Sequence, residues 1–248
     1  MPMRSRLLLA LLVLLVLLRQ EVQAATVRAV TEETSFSWSV DGRVSGPATA
    51  VVERTLAAAG IDDYRVELYP WARAYDLALH EPGVLIYLIA RTPAREDQFQ
   101  WVGELLRLRY YFYRLANRND VRIERLDDAR AYRLGVMRDD VRHQYLQGLG
   151  FERLVVSGQQ RDNFSRLLSG QVDALLLPER DAIHFCAEAG SACPGLQRLA
   201  ALEVLDTPLY MAFSVTTPAP LVERLRAAFG KLAASGEVAR LLAQPSDR

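Results

Sequence analysis

The sequence predicts a two-lobed α/β fold in which each lobe is a mostly parallel sheet flanked by helices. Three observations carry that expectation. Strand and helix signals alternate along the chain, runs such as VLIYLIA at 84–90 are apolar throughout, and the strand–helix order is repeated without a long linker.

Residues 26–33 (TVRAVTEE) read as a strand, and the loop after them turns at Asp41-Gly42. Pro47 opens a helix that Gly60 ends. Residues 65–69 alternate as a strand. Residues 71–80 (WARAYDLALH) carry apolar residues at helical spacing until Pro82-Gly83 stops them. The run at 84–90 then has the length of a strand buried on both faces. This βαβαβ order predicts parallel strands joined by helical crossovers. In the second unit, 107–115 (RLRYYFYRL), 132–137, 152–156 and 172–177 read as strands. Residues 126–131, 139–148, 163–169 and 181–187 read as helical, and Gly170 ends the third of these. Residues 209–215 are extended, and from Pro220 two amphipathic helices follow, broken near Ser235-Gly236. The chain is expected to cross between lobes twice, near 107–115 and 206–214. That places 25–110 and 210–248 in lobe one and 111–209 in lobe two.

Residues 7–18 (LLLALLVLLVLL) are an apolar run of 12 behind Arg4 and Arg6, and Val22-x-Ala24 follows as a small-residue site. Such a run is short for a bilayer span, which needs about 20 residues. Residues 1–24 are therefore expected to be a cleaved secretory signal peptide, and the protein periplasmic. The leader removes Arg4, Arg6, Arg19 and Glu21 from the 30 basic and 30 acidic residues, leaving a net charge of −2. Without a basic excess, nucleic acid is not an expected partner. Lys231 is the only lysine, so carboxylate recognition falls to arginine and its planar fork of donors. Cys186 and Cys193 flank Gly190 and Ser191, and Pro194 follows. In an oxidising compartment this reads as a small disulfide loop, with free thiols and a metal site using His184 as the alternatives.

Enzymatic motifs are scarce. His80, His143 and His184 lie in distant segments, and there is no G-x-S-x-G, P-loop or G-x-G-x-x-G. Adjacent acids such as Glu32-Glu33 and Asp139-Asp140 read as solvated turn residues rather than catalytic pairs. No catalytic residue, cofactor or metal is expected. The informative stretch is 89–104 (IARTPAREDQFQWVGE), where Arg91, Thr92 and Arg95 follow a buried strand. Ligands of open α/β sheets bind beyond the carboxyl ends of the strands. Two readings of Arg95 stand: a carboxylate clamp assisted by Thr92, or a surface pair with Glu96 or Asp97.

Several phrases together carry a resemblance. They are Ser35-Phe36-Ser37-Trp38, the DG..SG step at 41–46, PWARAY at 70–75, Thr92-x-x-Arg95, FQWVG at 99–103, Gly135-Val136, GQVDA at 170–174, and Ser235-Gly236-Glu237. In this order and spacing the chain resembles the family-3 periplasmic solute-binding proteins, the polar amino-acid binders of ABC uptake systems. The resemblance implies a type II periplasmic-binding-protein-like fold whose lobes close like a hinge on a small solute. It implies that Arg95 clamps a ligand carboxylate with Thr92 assisting, and that Phe36 or Trp38 packs on the ligand. Trp71 and Arg73 would line the first lobe's side of the cleft. Residues 135–139 would supply second-lobe contacts, and Asn163 would sit near the start of a second-lobe helix facing the cleft. The remaining alternatives are packing in the core for the tryptophans and a local Arg73–Asp76 pair.

The chain departs from the family pattern at three places. Leu88 and Ala90 stand where hydroxyl residues are usual, Arg138-Asp139 where Gly-Thr is usual, and Pro178 where an aspartate usually receives the ligand's ammonium. Only Glu179 could substitute for that aspartate, and a buried unpaired ammonium costs several kcal/mol. With Arg73, Arg91, Arg95 and Arg138 at hand, a net anionic ligand is the resulting expectation. The expected function is solute binding by a monomer that delivers to a membrane permease. The alternatives are a stand-alone protein that presents its ligand to a sensor, or an enzyme on the same scaffold.

Overall fold

The computed structural model describes residues 27–202 and 206–243. The leader at 1–24 lies outside the described residues. The first lobe is built from β1 (Val27–Thr31), β2 (Trp38–Val40), β3 (Arg43–Ser45), α1 (Pro47–Ala58), β4 (Tyr64–Leu68), α2 (Trp71–His80), β5 (Val84–Ala90) and β6 (Phe99–Leu108). The second contains β7 (Tyr110–Leu115), β8 (Leu134–Met137), α3 (Val141–Gly148), β9 (Leu154–Ser157), α4 (Gln160–Leu168), β10 (Ala174–Pro178), α5 (Glu179–Ala189) and β11 (Leu196–Ala201). The chain then returns through β12 (Thr207–Ser214), α6 (Ala219–Ala234) and α7 (Glu237–Leu242).

The strands form two five-stranded sheets, ordered β4-β1-β5-β12-β6 and β11-β7-β10-β8-β9, and a β2-β3 hairpin. In the first sheet β1, β4 and β5 are parallel, while β12 runs antiparallel to both β5 and β6. In the second, β8 pairs in parallel with β9 and β10, and β7 runs antiparallel to β10 and β11. The 107–115 segment, expected to be one strand, is two: Arg109 separates β6 in one sheet from β7 in the other. That split makes the first crossover. The chain crosses back between β11 and β12.

Local chemistry explains the legible elements. Every residue of β5 is buried, as a central parallel strand covered on both faces requires. Pro47 sits at the start of α1, where its missing N–H costs nothing, and Gly60 takes φ 65° just past the helix. Gly46 has φ 118°, and a side chain there would lie 2.5 Å from the carbonyl oxygen of Phe36 and 2.9 Å from the Trp38 ring. Glycine is thus what lets the β2-β3 hairpin fold back on the segment that carries Phe36. Cys186 and Cys193 form a disulfide between α5 and the start of the loop into β11. Among the described residues no helix is long and apolar enough to cross a membrane.

Candidate functional site

The two lobes meet in direct contact. Ser35 donates to Asp181 through its backbone N–H at 3.1 Å and its hydroxyl at 2.5 Å. The Trp71 indole N–H donates to the Asp139 carbonyl at 3.1 Å, and Arg161 pairs with Glu33 at 3.2 Å. Two adjoining cavities lie along this seam, with Glu32 and Trp71 lining both. Both are narrow clefts that open to solvent: the inner has a cavity volume of about 40 Å³ and the outer about 140 Å³.

Arg95 is the largest side chain in the fully buried set, 1% exposed, and it lines the inner cavity. The short 3-10 turn Pro93–Gln98 after β5 points it inward. Its Nη1 donates to the Ala90 carbonyl at 3.3 Å, and its Nη2 to the Asp139 carbonyl at 2.9 Å and Gln144 Oε1 at 3.1 Å. The guanidinium carbon lies 4.8 Å from the Tyr75 ring centre and 5.8 Å from that of Trp71. Its Nε–H has no acceptor, and no carboxylate of the described residues pairs with it. The surface pair expected as the alternative belongs instead to Arg91, which binds Glu96 and lies over Trp101 and Tyr210.

The other anticipated residues divide clearly. Phe36 and Trp71 are buried and line the inner cavity. Trp38 is buried in β2 against Gly46 and lines neither cavity. Thr92 is half-buried beside Arg95, and its carbonyl accepts from the Arg95 N–H at 2.9 Å. Arg73 is exposed and pairs with Asp76 at 3.3 Å. Arg91 and Arg138 line neither cavity, and Arg138 is exposed. Asn163 is fully buried in α4, its Oδ1 close against Gly135 on β8. Glu179 is exposed, outside both cavities, and pairs with Arg198 at 3.0 Å.

Sequence reasoning missed four groups that line the inner cavity: Glu32, Asp140, Arg142 and Asp181. Asp140 caps α3 by accepting from the Arg142 N–H at 2.9 Å, and Arg142 Nε returns to the same carboxylate at 2.5 Å. Arg142 also donates to the Leu176 carbonyl at 2.8 Å. Burial pushes the Asp140 carboxyl up, but the charge and hydrogen bonds of Arg142 outweigh it and hold it below the usual range. Asp181, two positions beyond Glu179, takes the place facing Ser35. Of the four guanidiniums invoked for an anionic ligand, only Arg95 reaches a cavity, and two further carboxylates, Glu32 and Asp181, face the same space.

Leu88 and Ala90 also line the inner cavity. Leu88 has φ 62°, within a bulge where the β5–β12 register shifts opposite Tyr210 and Met211. A non-glycine residue held there costs about 1–3 kcal/mol, and such strain gathers at ligand clamps. Asp139 has φ 60°, and its carbonyl receives both Trp71 and Arg95. The second-lobe segment, expected to supply backbone donors or side chains to the cleft, thus also offers a backbone acceptor.

Glu32 is half-buried, and burial pushes its carboxyl up to about 8, with Asp140 and Asp181 adding to the shift and Arg142 opposing it. An acid whose pKa is higher in the folded chain contributes its full stability below its unfolded value of 4.5 and loses it as pH rises through about 8. Thermal melts are therefore expected to fall between about pH 5 and pH 8.5, and Glu32→Gln to flatten that fall and raise the melting point at pH 8.5. An unchanged slope in the variant would assign the dependence to another group.

Neither a family model nor a curated protein matches the chain. Solved structures do. A histidine kinase sensor domain with similarity to periplasmic binding proteins superposes with a TM-score of 0.76 at 15% identity, covering 90% of this chain and 96% of its own. An ancestral arginine-binding protein bound to glutamine gives 0.76 at 14% identity, with 90% and 98% covered. The arginine-, lysine-, histidine-binding protein ArtJ from Geobacillus stearothermophilus gives 0.75 at 15%, with 90% and 96% covered. At these identities the likeness is one of architecture, and it agrees with the two sheets and two crossovers described above: the chain has the two-lobed α/β fold of periplasmic binding proteins.

Proposed function

We propose that this chain binds a small, amino-acid-like solute bearing a carboxylate in the cavity between its lobes, without turnover, and delivers it as a periplasmic monomer to an ABC-type permease. The observation that carries this reading is Arg95, a buried cation with one unused N–H and no carboxylate partner among the described residues, lining a cavity. Asp140 acts on Arg95 only through space, and a ligand carboxylate would supply a directly bonded counter-charge through charge-assisted hydrogen bonds. Asp181 lines the same space and is suited to an ammonium, which favours a zwitterion over the net anion that the sequence suggested. The leader pattern and the disulfide support export. The likeness to amino-acid-binding proteins supports the ligand class. One observation favours a second reading, presentation of the ligand to a sensor: a kinase sensor domain superposes as well as the binding proteins do.

A thermal-shift panel of α-amino acids, dicarboxylates, polyamines and short peptides tests the binding reading. A specific ligand raises the melting point by mass action, about 2.7 kcal/mol at a hundredfold excess over Kd. One or more α-amino acids are expected to shift the melt and polyamines are not. A response to polyamines alone, or to no compound in the panel, would reject it.

A further inference from the structure

The outer cavity differs in chemistry from the inner one. Its second-lobe wall is the start of α4, where Gln159, Gln160 and Arg161 line it. Gln159 stands at the N-cap and makes no side-chain capping bond, so the first backbone N–H groups of α4 lack both a helical partner and a capping side chain. Gln160 is 7% exposed, yet its Nε2 has no hydrogen-bond partner. A buried amide donor left without a partner is destabilising, and a ligand acceptor would recover that loss. Trp71 and Phe185 give this cavity flat aromatic walls.

The charges around it select among head groups. Arg161 is already shared between Glu33 at 3.2 Å and Glu188 at 3.1 Å, so a further carboxylate would meet two acids and no uncommitted cation. A cationic head would face Arg161, the unpaired Gln160 donor and the positive end of α4. An uncharged group with both an acceptor and donors meets neither objection, since the oxygens of Glu32, and of Glu33 alongside its pair with Arg161, line the cavity and can accept from it.

We propose that the outer cavity is a second subsite, taking the carboxamide head of the bound solute, whose carbonyl oxygen accepts from Gln160 Nε2 and the N–H groups that open α4. The inference rests on the amino-acid-binding reading above and names the side-chain class it serves. Calorimetry on the chain with glutamine, glutamate, lysine and 2-aminopentanoic acid tests it, the last being an α-amino acid with an aliphatic side chain and no head group. Glutamine is expected to bind about tenfold tighter than the other three. Gln160→Leu is expected to remove about tenfold of the glutamine affinity and leave that for 2-aminopentanoic acid unchanged, which also shows that the variant folds. Gln160→Glu keeps the size, replaces the donor by a carboxylate, and is expected to turn the preference towards lysine. Equal binding of glutamine and 2-aminopentanoic acid, or a glutamine preference that survives Gln160→Leu, overturns the subsite and leaves the amino-acid reading standing. No binding of any of the four by a chain that melts cooperatively overturns both.

Discussion

Arg95→Ala is expected to weaken solute binding by ~2–5 kcal/mol, the range for truncating one partner of a buried, hydrogen-bonded charge pair. The companion variant Arg95→Met keeps apolar bulk against Tyr75 and Trp71, which the guanidinium now faces. It separates a ligand clamp from a structural tie between lobes. Burying an unpaired guanidinium costs several kcal/mol. Against that stand three hydrogen bonds to neutral acceptors, each worth about 1.5–3 kcal/mol. The two sides nearly offset, so the melting point of Arg95→Met without added solute is expected to stay within a few degrees of the parent while binding is lost. A melting point lower by ten degrees or more would make Arg95 a structural tie. Unchanged affinity for every solute the parent binds would remove it from the site.

The sequence made Arg95 legible and left its neighbours obscure, for a physical reason. A residue placed just past a wholly apolar strand is fixed at the sheet's carboxyl end by local pattern alone. Which way a guanidinium then turns depends on partners the local pattern does not rank. Arg91 is four residues from Arg95, yet it takes Glu96 and the Trp101 and Tyr210 rings, while Arg95 turns inward. Arg73 and Arg138 likewise lie outside both cavities. Asp139-Asp140 read as a solvated turn because their burial comes from lobe contact, between residues far apart in sequence. One local signal was present: Arg142 stands in the first turn of α3, where a positive charge opposes the helix dipole. An arginine there needs a compensating acid, and Asp140 is that acid. The fold shows the same division. β5 and α1 follow from apolar continuity and from Pro47 and Gly60. The break at Arg109 does not, because RLRYYFYRL alternates without interruption and only its partners β12 and β10 pull its two ends into different sheets.

Asp140 and Arg142 form the most buried ion pair of the site, with side chains 9% and 8% exposed. Removing one partner of such a pair leaves a buried charge and is expected to cost ~3–5 kcal/mol. Asp140→Asn isolates the charge, because asparagine caps a helix about as well as aspartate. Arg142→Met should destabilise less at low pH, since the stranded Asp140 carboxyl can take up a proton and Arg142 has no comparable escape in Asp140→Asn. The sign of the pH dependence follows. Asp140 titrates below its ordinary value of 3.8 in the folded chain, so its contribution is present above that value and is lost as pH falls through the lower, folded one. The parent should therefore lose stability in acid by an amount that Asp140→Asn does not show. The double variant Asp140→Asn/Arg142→Met strands neither charge and should recover most of the loss, a coupling that denaturant melts on the four proteins of the cycle would measure directly. Additive losses in the double variant, or single losses under about 1 kcal/mol, would mean that water screens the pair and that the second lobe's face of the cleft is open.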